Sequence, residues 1–331
     1  MIKHPLIGPW VRRFLLEYLV TDRNFAHNTQ LSYRDTLLLL LPFLSQTQNK
    51  ALDRLTLDDL SPAAVRAFLD HVENERGCSI ATRNLRLAMI HSLAKFIALN
   101  SPEQIVWYAT LRAVPFKKTA KNTLTYLDKL EMDALLETPD QQTLQGRRDY
   151  AVLLFLYNTG ASASEAAQLT VGDIAWGSAP AVRLFGKGNK VRWCPIWACT
   201  QDVLKQIVAA RSPQQAVFLN RRGQPLTRYG IYSLVHRTVA KTSQVVASLK
   251  TKQISPHCLR HTCAVHLLRA GVDINTIRAW LGHVSLDTTN IYAEVDLEMK
   301  ANALAHCDLP EAAATKSWHT DEGMIGFLKS L

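Results

Sequence analysis

The forty residues from Ser255 to Glu294, SPHCLRHTCAVHLLRAGVDINTIRAWLGHVSLDTTNIYAE, restrict what this chain can become more than any other stretch. Ser255 is a good N-cap and Pro256 suits the first helical position, where its missing N–H is no loss, so a helix begins there. Gly271 reads as its C-cap. On that helix His257, Arg260 and His261 stand at i, i+3 and i+4 and share one face. A second helix starts near Asp273 or Ile274, carries Ile274, Ile277 and Leu281 at helical spacing, and stops at Gly282 and His283. Ser285 or Asp287 opens a short third segment that ends in Ile291 and Tyr292. Two compact turns thus bring one arginine, two histidines and a tyrosine within reach of one another, a set that few structural cores require.

Such a set suits an attack on a phosphodiester. An arginine fork holds the negative charge that builds on the non-bridging oxygens, imidazoles donate hydrogen bonds or move protons, and a tyrosine hydroxyl is a covalent nucleophile. Taken singly, each residue has a plainer reading. His257 and His261 have metal-ligand spacing, but no Glu lies between them and no third ligand is evident. Tyr292 alone reads as a packed aromatic at a helix end, and His283 alone as the end of a turn. Together, PHCLRH and LGHVSLDTTNIY resemble the C-terminal signature of the tyrosine recombinases, the phage integrase family. The resemblance assigns no chemistry to His261, which is read as structural.

A length of 331 residues suits two domains rather than one. With 38 Lys plus Arg against 28 Asp plus Glu, the net charge of +10 favours a polyanionic partner. The six cysteines form no CxxC pair and read as reduced thiols of a cytoplasmic protein. The most apolar run, TLLLLLPFL at 36–44, is too short to span a bilayer and is broken by Pro42. No signal-peptide order opens the chain.

The first hundred residues read as four helices. Trp10, Phe14, Leu15 and Leu19 recur at helical spacing; Asn28 or Thr29 caps a segment through Leu40 that Pro42 disrupts; Ser61-Pro62 opens a third and Ser79 a fourth. Arg34, Arg83, Arg86 and Lys95 lie among these residues, where they form either a solvated face or one that meets phosphates. The resemblance implies the second: residues 1–112 as a helical, SAM-like core-binding domain that clamps DNA. Residues 113–123, AVPFKKTAKNT, then read as a linker, and 124–309 as the catalytic domain.

At TGASASEAAQL the resemblance meets a departure. Thr159, Gly160 and Glu165 match the family's pattern, but Ser162 occupies the position of its first catalytic arginine. In the family that guanidinium and the one matched by Arg260 clamp the scissile phosphate from two sides. A serine has neither the charge nor the reach, and losing one preorganised donor costs on the order of a hundred- to a thousandfold in rate. A natural homologue with weakened cleavage and a substitution made to block reaction both account for Ser162.

APAVRLFGKGNKVRWCPI alternates around GKGN as a β-hairpin does. A GKG turn alone is structural. The resemblance aligns Lys187, at its tip, with the lysine that protonates the leaving 5′ oxygen, and places Lys190 and Arg192 on backbone phosphates. Residues 201–211 and 228–242 read as helices. Residues 310–331 form a tail whose Met324, Ile325, Leu328 and Leu331 make an apolar stripe, docking either on a neighbouring protomer or on its own domain.

The expected fold is therefore mainly α with a small β-sheet, a SAM-like helical domain preceding a catalytic domain. The resemblance implies a site-specific recombinase of the cytoplasm, from a mobile element or a related system, working as a homo-tetramer on two double-stranded DNA sites. Tyr292 would form a 3′-phosphotyrosine, Arg260 hold the phosphate, His257 and His283 serve hydrogen bonding and proton transfer, and Glu165 brace the site. No cofactor, obligatory metal or membrane is implied. The rival is a DNA-binding homologue or architectural partner that no longer cuts, and Ser162 is its support.

Overall fold

The computed structural model describes residues 5–119, 124–186, 188, 190–282, 289 and 292. The chain divides into two compact units, Met1–Asn122 and Thr123–Leu331. Among the described residues the architecture is mainly α-helical with one three-stranded sheet.

Five α-helices build the first unit: α1 (Ile7–Arg13), continued as π-helix over Phe14–Asp22, α2 (His27–Thr47), α3 (Pro62–Asp70), α4 (Ile80–Asn100) and α5 (Ile105–Arg112). Local chemistry sets several of the starts. Ser61 caps α3 by accepting from Ala64 N–H at 3.2 Å, with Pro62 at the first helical position, and Ser79 caps α4 through Thr82 N–H at 3.3 Å. The second helix departs from expectation. It starts earlier, at His27 with Ala26 as its N-cap, and runs through Pro42 to Thr47. Proline deprives the Leu38 carbonyl of its partner, and Leu38 is 62% exposed, so the break falls on the outer face, where solvent meets it. The fifth helix was not expected. Its Trp107 indole N–H donates to the carbonyls of Leu57 and Leu60 at 3.0 and 3.1 Å, and Leu111 enters the core formed by Phe14, Leu40, Phe68 and Ile97.

The stretch read as a linker, residues 113–123, is docked on the first unit as far as it is described. Asn84 donates to Lys117 O at 2.7 Å and accepts from Lys117 N–H at 3.1 Å, Lys117 pairs with Glu73 at 2.7 Å, and Phe116 meets the His91 ring edge-on. Arg83 belongs to this strap, donating to Pro115 O at 3.1 Å. At 5% exposure it is a buried tie within the unit. Arg34 is exposed and paired with Asp35, Lys95 is exposed, and Arg86 is half-buried against Thr36.

The second unit contains α6 (Lys129–Glu137), α7 (Leu144–Thr159), α8 (Ala163–Gln168), α9 (Ala198–Val208), α10 (Arg228–Thr242), α11 (Pro256–Arg269) and α12 (Ile274–Leu281). Its strands β1 (Ile174–Ala175), β2 (Ala181–Phe185) and β3 (Val191–Pro195) pair antiparallel in that order. The helix α7 is buried along most of its length and packs on α11 and α9 around Val152, Phe155, Leu156 and Leu259. It ends at Gly160, where φ is +59° and a Cβ would come within 2.4 Å of Leu281. Only glycine satisfies both conditions. No helix among the described residues is long and apolar enough to cross a membrane.

Candidate active site

Four elements converge at the end of α7. Gly160 hands the chain to α8, whose N-cap is Ser162. The Ser162 hydroxyl accepts from Glu165 N–H at 3.2 Å and the Glu165 carboxylate accepts from Ser162 N–H at 2.6 Å, a reciprocal capping box. Ser162 is thus a good local residue at a position that carries an arginine in the family it resembles.

From α11, Arg260 reaches back under this turn. Its guanidinium donates to Gly160 O at 2.8 Å and to Leu281 O at 2.5 Å, and one nitrogen lies 3.8 Å from Glu165. It ties the ends of α7 and α12 together. Burial lowers its pKa from the ordinary arginine value, and Glu165 opposes that shift.

The third contribution comes from β3. Arg192 pairs in register with Leu184, and strand alternation puts Arg192 on the same face as buried Cys194, while Val191 and Trp193 face out. Its guanidinium is bound to Glu165 and donates to Trp280 O at 2.8 Å, with 11% of the side chain exposed. Among the described residues Arg192, expected from the resemblance on a backbone phosphate, serves as an internal strut. Its Nη2 is buried and finds no partner among the described residues. Gly282, at φ +73°, leaves room for it, since a Cβ there would sit 3.1 Å from Arg192 Cδ. Lys190, two residues earlier, is exposed. Burial works to raise the Glu165 carboxyl, but the Arg192 hydrogen bond and charge, with the Ser162 contacts, hold it below its ordinary value.

At the mouth, His257 presents an exposed ring beside a cavity of about 390 Å³ that Ser162, Arg228, Tyr229, Tyr232 and Pro256 also line. Partial burial, then the Arg260 charge, lowers its pKa, so the neutral imidazole dominates at neutral pH. Tyr292 is 1% exposed in a small core with Val265, Ile277 and Leu281. Its hydroxyl lies 2.9 Å from Nδ1 of His261, whose ring stands at 4.1 Å from that of His257. Burial raises the Tyr292 phenol to about 12, against the opposing charge of Arg260.

The structure therefore brings Ser162, Glu165, Arg260 and His257 to one locus and places Tyr292 against α11. Lys187 and His283 lie outside the described residues. Two contacts were not foreseen from the sequence: Arg192, named there for phosphates, binds Glu165, and His261, read as structural, meets Tyr292 through tertiary packing that no local signal announces. Among the described residues no three His, Cys, Asp or Glu side chains gather as a metal-binding group.

Comparison with known proteins shows the family. Residues 125–299 match the phage integrase family, and residues 12–100 match the N-terminal SAM-like domain of phage integrases. An integrase/recombinase of Sinorhizobium fredii is 36% identical over the full length of both chains. The tyrosine recombinase XerC of Bacillus subtilis is 30% identical over 88% of this chain and 93% of its own. In fold, the chain is similar to the XerH site-specific recombinase in a post-cleavage complex with its difH substrate, at TM-score 0.67 and 23% identity over 86% of this chain and 81% of that one. The Tn1549 transposon integrase, in complex with transposon right end DNA, gives TM-score 0.69 at 18% identity over 90% and 99%. By sequence over its whole length, and by a fold that sets Arg260, His257 and Tyr292 on adjoining elements, the chain belongs to the phage integrase family, the site-specific tyrosine recombinases.

Proposed function

We propose that this chain binds duplex recombination sites and exchanges strands through a 3′-phosphotyrosine on Tyr292, at a rate reduced by the serine at position 162. Arg260 holds the scissile phosphate, His257 and His283 donate hydrogen bonds and move protons, Lys187 protonates the leaving 5′ oxygen, and Glu165 braces the site. The bond energy is retained in the phosphotyrosine, so resealing draws on no outside energy source. Four protomers on two sites exchange one pair of strands at a time, in the cytoplasm, in the service of a mobile element or a related system. Residues 1–112 serve as the DNA clamp, 124–309 as the catalytic domain and 310–331 as a tail docking on a neighbouring protomer; Arg34, Arg86, Lys95 and Lys190 contact backbone phosphates.

The observation that carries this reading is the placement of Arg260, pinned between Gly160 O and Leu281 O beside Glu165, with His257 one turn away at an open cavity. A second reading, a DNA-binding homologue that no longer cuts, draws on Ser162, whose hydroxyl is committed to the α8 cap. The test selects a binding site from randomised duplexes, then presents it as a nicked suicide substrate to the chain and to its Ser162→Arg and Tyr292→Phe variants. Covalent adduct that Ser162→Arg increases and Tyr292→Phe abolishes supports the recombinase; binding without adduct from either Ser162 form supports the second reading.

A further inference from the structure

Resting on the recombinase reading, we infer that His261 is a catalytic residue of this chain, the acceptor of the Tyr292 phenol proton in the cleavage step. Its Nδ1 lies 2.9 Å from the Tyr292 oxygen, within hydrogen-bond distance of the atom that must lose a proton. The pair is sheltered: His261 is 9% exposed and Tyr292 1%, so bulk water does not readily take that proton. The rings meet at 5.6 Å between centroids, and the His257 ring packs on the other imidazole at 4.1 Å, which orients it.

The phenol, held near pKa 12, is protonated at neutral pH and is a poor nucleophile until a base in contact removes its proton. The step balances. The Tyr292 O–H bond breaks and an N–H bond forms at His261 Nδ1; the phenol oxygen bonds to phosphorus; the bond from phosphorus to the 5′ oxygen breaks, and that oxygen takes a proton from Lys187. Resealing runs the same steps backward, with His261 returning its proton to the phenol. His257, exposed at the mouth, is then left to the phosphate.

Two measurements test the assignment. In the DNA-free protein with 15N-labelled histidine, Nδ1 of His261 is expected to be the unprotonated acceptor, and its resonance to move in Tyr292→Phe. A protonated Nδ1, or one indifferent to Tyr292→Phe, overturns the inference whatever happens on DNA. On the suicide duplex, His261→Ala in the faster-cleaving Ser162 form is expected to slow adduct formation by about 10²- to 10⁴-fold. Added imidazole should recover part of that rate, and a more acidic 3,5-difluorotyrosine at position 292 should shrink the loss. A loss that neither treatment relieves marks His261 as packing only and sinks the proposal. If both Ser162 forms bind the duplex without adduct, the recombinase reading fails and the catalytic role of His261 falls with it, whereas adduct that forms undiminished in His261→Ala overturns the inference alone and leaves that reading standing.

Discussion

A single carboxylate, Glu165, compensates two buried guanidiniums and completes a helix cap. Glu165→Gln leaves those cations short of a counter-charge, and breaking such a buried arrangement costs about 3 kcal/mol, measurable by urea unfolding. The pH dependence has a definite sign. Because the folded carboxyl is held below its ordinary value of 4.5, its stabilisation is present above that value and is lost as pH falls through the lower folded one. The gap between parent and Glu165→Gln should therefore be full at neutral pH and close in acid. Ser162 poses an opposed pair of effects. Replacing it with arginine restores the family's guanidinium but removes the hydroxyl from the α8 N-cap, so Ser162→Arg should raise cleavage while lowering stability by about 1 kcal/mol. Ser162→Ala should lose similar stability with no gain in adduct, which separates the two consequences.

At the level of elements, the junction of α7, α11 and α12 depends on close approach at Gly160. Gly160→Ala combines a left-handed backbone with a contact at Leu281, for an expected cost of about 2 to 4 kcal/mol in thermal or urea unfolding. The strap from Ala113 onward yields another expectation. Asn84→Ala removes two hydrogen bonds to Lys117, so trypsin should cut after Lys117 or Lys118 several times faster than in the parent. Helix starts were largely legible in the sequence because caps are local: Ser61, Ser79 and Asp273 each bind an N–H within three residues. The joint motif of α11 was legible for the same reason, since i, i+3 and i+4 spacing is a property of one helix. The course of α2 through Pro42 was not, because burial of Leu37, Leu40 and Leu44 on the inner face outweighs one missing bond on the outer. Nor was the docking of Lys117, 33 residues from Asn84, or of Tyr292 on His261, 31 residues away.

For the whole molecule, the charge of +10 bears on binding more than on fold. A chain that covers six or more phosphates should lose roughly a thousandfold or more in DNA affinity between about 50 and 200 mM salt, which a titration by fluorescence anisotropy checks. An affinity indifferent to salt would contradict backbone binding.

The tie from Arg192 to Glu165 has a consequence for control. The strand that carries Arg192 is paired with β2 in a hairpin, and the same carboxylate stands beside Arg260. Any force that lifts β3 therefore tugs on the carboxylate beside Arg260. On the proposed roles, with Lys187 as proton donor and Arg260 as phosphate clamp, the two have no separate dials, and a protomer held with β3 displaced is expected to sit silent on DNA instead of cutting slowly.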